Sequence, residues 1–125
     1  MVRVPFAASS VALARQQLKS WMRSNGCSRE SVEDGRVVVS ELVANSVRHA
    51  KPLSDGTIQV SWAREGDVLQ VSVTDGGGPS EPRTLNASSS ALSGRGMAIV
   101  EALAGEWWAE RSRSRSTIHA RIPLS

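Results

Sequence analysis

The sequence predicts an α+β fold, a two-layer sandwich whose mostly antiparallel sheet is covered on one face by three helices. Two long stretches of helical apolar spacing come early, two pairs of strand-like runs turn back on themselves, and a third helical stretch separates those pairs. At 125 residues the chain has the length of one domain, 1–125. Its 40% hydrophobic and 22% charged residues suit a packed core with a solvated surface.

Val2 to Phe6 reads as a short strand, with Pro5 pointing to a sheet edge. Ser9 or Ser10 can cap a helix to about Ser24, along which Val11, Leu18 and Trp21, with Leu13 and Met22 beside them, form an apolar stripe. Asn25-Gly26 ends it, since both residues tolerate a left-handed C-cap. Ser28 can cap the next helix, and Glu30 and Glu33 suit its positive end. That helix runs to about Ala50 through Val32, Val39, Leu42, Val43 and Val47, although Gly35 and three consecutive valines weaken it locally.

Pro52 to Gly56 is turn chemistry. Ile58, Val60 and Trp62 alternate with polar or small neighbours, Glu65-Gly66-Asp67 turns, and Leu69, Val71 and Val73 resume the alternation to Asp75. Residues 76–94 read as one long irregular loop rich in Gly, Pro, Ser and Asn. Gly94 to Gly105 reads as a helix through Met97, Val100, Leu103 and Ala104. Trp107 to Pro123 reads as a hairpin turning near Arg113 to Ser116.

A formal charge of +3 admits acidic partners such as nucleotide phosphates but falls short of a dedicated nucleic-acid surface. One cysteine, Cys27, rules out an internal disulfide and suits a reducing cytoplasm. Arg3 to Ala14 superficially resembles a secretion signal, but Pro5, Ser9 and Ser10 interrupt its apolar run. No apolar stretch nears the roughly 20 residues that span a bilayer, so no membrane partner is expected. The four tryptophans, Trp21, Trp62, Trp107 and Trp108, are expected to pack in the core or at an interface.

Three fragments carry chemistry. Glu41 and Asn45 lie four residues apart on the second helix and share a face, with His49 one turn further on. A carboxylate there can take a proton from a hydroxyl, and a neutral amide oxygen can ligate magnesium without adding negative charge near phosphates. The spacing also suits a solvated helix face, but the flanking Val37–Val39, Leu42 and Val43 set these polar groups on an otherwise apolar helix. Asp75 ends a strand before Gly76-Gly77-Gly78, where it can make an ordinary turn or accept a hydrogen bond from an exocyclic amine. Gly94-Arg95-Gly96-Met97 opens a helix whose first N–H groups can face an anion, with Arg95 adding charge. Ile99 stands where a dinucleotide fingerprint needs its third glycine, and no P-loop run is present. Arg111 to Ser116 alternates Arg and Ser; a nucleic-acid-binding module could use such a run, but at a hairpin it serves better as a solvated edge.

Taken in order, Glu41-Leu42-Val43-Ala44-Asn45-Ser46-Val47-Arg48-His49-Ala50, Val73-Thr74-Asp75-Gly76-Gly77-Gly78, and the run from Gly94 to Ala104 resemble the histidine-kinase-like ATPase superfamily. The sequence is most similar to its small stand-alone bacterial anti-sigma factor serine/threonine kinases. The resemblance implies a Bergerat-type ATP-binding fold with ATP and Mg2+ as cofactors. It implies Asn45 as magnesium ligand, Glu41 as general base and Asp75 as the reader of the adenine amine. Gly77, Gly94 and Gly96 would surround base and phosphates, with His49, Arg95 and Met97 beside the nucleotide and Thr117 on the adenine side. Residues 79–93 would be the ATP lid, and Arg15 would face partner proteins.

The partners implied are a sigma factor and an anti-sigma factor antagonist, with a homodimer possible and no direct nucleic-acid contact. The sequence departs from the family in three places: Pro79 where a further glycine is usual, a short serine-rich lid, and Arg115-Ser116 where a glycine usually precedes the last strand. These departures keep open a module that sequesters partners without phosphoryl transfer. No helix pair with a phosphorylatable histidine is visible, so a full sensor kinase is not expected.

Overall fold

The computed structural model describes residues 1–78, 83–86 and 95–125. Their order is β1 (Val2–Pro5), α1 (Ser10–Ser24), α2 (Arg29–His49), β2 (Thr57–Glu65), β3 (Val68–Asp75), β4 (Arg83–Asn86), α3 (Arg95–Leu103), β5 (Glu106–Arg111) and β6 (Ser116–Pro123). The strands form one sheet in the order β1-β2-β3-β6-β5-β4, and every neighbouring pair is antiparallel. The expected α+β sandwich is what forms.

Strand alternation decides which side chains meet the helices. Register sets Val60 opposite Val73 and Val73 opposite Ile118, so these share the helix-facing side with Leu69, Val71, Ala120, Ile122, Trp107 and Ala109. All are at most 3% exposed and form the core with the inner faces of the helices. α1 packs on α2 and β1, α2 lies over β3 and β6, and α3 packs on α2 and β5.

The helix termini show which local signals held. Ser28 caps α2, its hydroxyl accepting from Ser31 N–H at 3.1 Å. Gly26 adopts φ +74 after α1, and Cys27 N–H turns back to Met22 O at 3.1 Å. The N-terminus of α1 differs from expectation: Ser9 makes no side-chain cap, and Ser10 is buried with its hydroxyl donating to Pro5 O. The buried stripe of α1 is therefore Ser10, Ala14, Leu18 and Met22, while Leu13 remains 49% exposed. Gly35, unfavourable to a helix in isolation, is explained by packing, since a Cβ there would stand 2.6 Å from Met22 Sδ.

Two corrections concern the second half. The stretch read as one irregular loop contains β4, whose Leu85 stands opposite Ala109. Four residues are too short for alternation to announce a strand, and pairing with β5 decides it. The Arg111–Ser116 run is only partly a solvated edge. Residues 112–115 are exposed, but Ser116 is buried and Arg111 half-buried.

Candidate functional site

The site begins where the backbone leaves α2. Lys51 N–H donates to Gly77 O at 2.9 Å, and Gly76 N–H donates to Lys51 O at 2.7 Å. A Cβ on Gly76 would stand 2.0 Å from Pro52 O, so glycine alone permits this approach. Gly77 takes φ +79 and turns its N–H to Asp75 Oδ1 at 2.8 Å. The end of β3 is thereby tied to the end of α2.

Asp75 lies beneath that helix, 4% exposed, and Ser46 Oγ donates to its Oδ2 at 2.6 Å. Burial pushes the Asp75 carboxyl above its ordinary range, while the hydrogen bonds from Ser46 and Gly77 and the Arg111 charge pull it back. Ser46 stands inside a resembling motif, yet sequence reasoning gave it no role. The available signal was a hydroxyl among apolar helix positions, which has to find a partner once buried.

Ser116 stands directly opposite Asp75 on β6, and Arg111 stands opposite Ser116 on β5. Asp75, Ser116 and Arg111 thus form a polar row across three strands on the helix-facing side. Thr117, expected on the adenine side, points the other way. It pairs with Thr74 and Glu110 on the outer face, its hydroxyl 2.9 Å from that of Thr74. One residue of strand register reverses the face, and counting back from Ile118 would have selected Ser116.

Asn45 precedes Ser46 on α2 and is 8% exposed. Its side-chain amide makes no hydrogen bond to the described residues, and its polar atoms keep some access to solvent. A carboxamide oxygen held this way suits a hard cation such as Mg2+, and its NH2 suits a phosphate oxygen. Glu41 is half-exposed one turn earlier on the same helix face. His49 is exposed one turn later and stands apart from the buried cluster.

The helix-start fragment is only partly described. Arg95 and Gly96 open α3, while Gly94, Pro79 and most of the proposed 79–93 lid lie outside the described residues. Met97 is 2% exposed within the core, so any contact from it to a ligand would be through its backbone. Arg15 is half-buried on α1, outside the Asn45–Asp75 cluster. The Trp expectation holds for packing: Trp107 is buried with Nε1 donating to Glu101 at 3.1 Å, and Trp21 meets Trp62 at 6.4 Å. No described helix is long and apolar enough to cross a membrane.

Over 77 residues the chain is 38% identical to the serine-protein kinase RsbW of Listeria monocytogenes, covering 61% of this chain and 49% of that protein. It is 32% identical over 78 residues to the serine-protein kinase RsbW of Staphylococcus epidermidis, with the same coverage of 61% and 49%. The chain spans about half the length of the curated relatives it matches. The crystal structure of the RsbU and RsbW domains of Rv1364c from Mycobacterium tuberculosis is similar at a TM-score of 0.70 and 20% identity. That match covers 98% of this chain and 32% of the other, and at this identity it speaks for the fold alone. Residues 4–122 match the histidine kinase-like ATPase domain. With the Asn45 and Asp75 motifs placed around one helix and one strand end, the chain belongs to the histidine kinase-like ATPase domain family.

Proposed function

We propose that the chain binds Mg-ATP and acts as an anti-sigma factor serine/threonine kinase, phosphorylating an antagonist protein and sequestering a sigma factor in the cytoplasm. Family membership and the kinase names of its relatives support this reading. The observation that carries it is the buried Ser46–Asp75 pair, with Asn45 the residue before Ser46 on α2 and its amide making no hydrogen bond to the described residues.

Asp75 accepts a hydrogen bond from the adenine amine while Ser46 and Gly77 hold its carboxylate in place. Asn45 offers its amide oxygen to magnesium, whose charge when bound offsets that of the phosphates. Glu41 takes the proton from the attacking serine or threonine hydroxyl. That oxygen forms the new bond to the γ-phosphorus, the bond to the ADP oxygen breaks, and ADP leaves. The N–H groups opening α3, with Arg95, suit the phosphate side, and Arg15 is the residue of α1 assigned to partner contact.

Calorimetric titration with ATP, with and without magnesium, tests the pocket. Wild type should bind more tightly with magnesium, and Asn45→Ala should lose about tenfold to 100-fold of that affinity. Folding should be little changed, because the amide makes no hydrogen bond to the described residues. Incubation with ATP and the antagonist should yield phosphoserine or phosphothreonine, abolished in Glu41→Ala. Partner binding with no transfer would leave sequestration alone as the activity, and absence of ATP binding would remove the nucleotide reading.

A further inference from the structure

Arg111 belongs to the polar row that contains Asp75, although nothing in its local sequence separates it from the arginines of the adjoining turn. Register sets it opposite Ser116, which is itself opposite Asp75. The groups around the Asp75 carboxylate come from every side. Ser46 on α2 donates to Oδ2, Gly77 in the turn donates to Oδ1, and Ser116 faces it from β6. Arg111, from β5, is the charged group among the described residues that acts on it. Burial is the largest influence and raises the Asp75 carboxyl overall, while the two donors and then the Arg111 cation oppose it and favour the ionised form.

The protonation state matters to a base-reading residue. An ionised carboxylate only accepts, so it pairs with an exocyclic amine, as in adenine, and repels a carbonyl oxygen, as in hypoxanthine. A protonated carboxyl can donate and so tolerates that carbonyl. We propose that Arg111 is a specificity-determining residue of the nucleotide site, acting through Asp75 to hold it as an acceptor and so select an amino-purine over an oxo-purine. It is a positioning residue, and the inference rests on the reading that Asp75 faces the base.

The experiment titrates wild type, Arg111→Met and Arg111→Lys with Mg-ATP and Mg-ITP at about pH 6 and about pH 8. Wild type should favour ATP by about 100-fold at both pH values, the scale of a hydrogen bond to a charged group. Arg111→Met should lose about tenfold in ATP affinity at the lower pH, gain in ITP affinity, and regain ATP preference at the higher pH. Arg111→Lys keeps a cation and should retain the wild-type ratio. An ATP/ITP ratio in Arg111→Met that matches wild type at both pH values overturns the proposal. So does a Lys variant that loses the preference at the lower pH, which also decides the matter if the Met variant fails to fold. Wild type binding neither nucleotide would defeat the nucleotide reading itself, a result distinct from tight binding with an unchanged ratio.

Discussion

Strands β3, β6 and β5 carry polar rows on both faces, and the inner row of Asp75 and an outer row through His119 end differently. On the outer face Ser72, His119 and Trp108 stand opposite one another in turn. His119 Nδ1 lies 2.6 Å from Ser72 Oγ, its Nε2 lies 3.6 Å from Glu110, and the Trp108 ring stacks on it at 4.9 Å. That row satisfies itself. On the inner face Asp75 is equally well held, but the helix that supplies Ser46 also carries Asn45, whose amide makes no hydrogen bond to the described residues. Desolvation drives both titrating groups toward neutrality, Asp75 upward and His119 downward. The difference is the helix: a polar row covered by an element with its own polar group leaves hydrogen-bonding capacity for a ligand, while an open row has only its neighbours to satisfy.

The largest expected effect is that of Asp75→Ala, which should reduce ATP affinity by about 100-fold or more, measured by calorimetry. It should also cost about 1–3 kcal/mol of stability in denaturant titration, because the Ser46 hydroxyl and Gly77 N–H lose their acceptor. Retained affinity would remove the inner row from the nucleotide site and erase the contrast between the faces.

A smaller effect separates adjacent residues. Ser116→Ala should weaken ATP binding by up to about tenfold, whereas Thr117→Val should leave it unchanged and cost about 1 kcal/mol or less of stability through its Thr74 partner. The reverse pattern would mean that the ligand sits on the outer face.

The smallest effect is a pH dependence on the outer row. Burial lowers the His119 pKa below 6.5 while Glu110 opposes the shift, so the unfolded chain takes up a proton that the folded chain resists. Stability from this source is complete above about pH 6.5 and declines as the pH falls through the window below it. Thermal unfolding from about pH 7.5 to about pH 5.5 should show Tm falling by about 2–4 °C from this group, with a flatter slope in His119→Gln. An unchanged slope would show that His119 titrates alike in both states.

Much of this architecture was legible. Ser28, Asn25-Gly26, and the alternation from Ile58 to Val73 act through neighbouring residues, and each produced the element expected of it. The stripe of α1 was misplaced by Leu13, because helical spacing alone cannot distinguish Ala14 and Ser10 facing the core from a larger side chain facing water. In the candidate site, Asn45 and Asp75 were proposed from the motifs, while Ser46, Ser116 and Arg111 were not. Their roles depend on contacts to segments 29 to 41 residues away in the chain, as between Ser46 and Asp75 at a separation of 29 and across the Asp75–Ser116 pairing.

The amino-acid sequence by itself determined the fold class, most of the element order, the family resemblance and the helix face shared by Glu41 and Asn45, because these follow from local periodicity and short motifs. Tertiary structure decided that Gly76 must be glycine, that Ser116 rather than Thr117 faces Asp75, and that Arg111 lies within reach of its field. Those facts depend on strand register and on the close approach of Lys51–Pro52 to Gly76–Gly77, and packing of distant segments creates both.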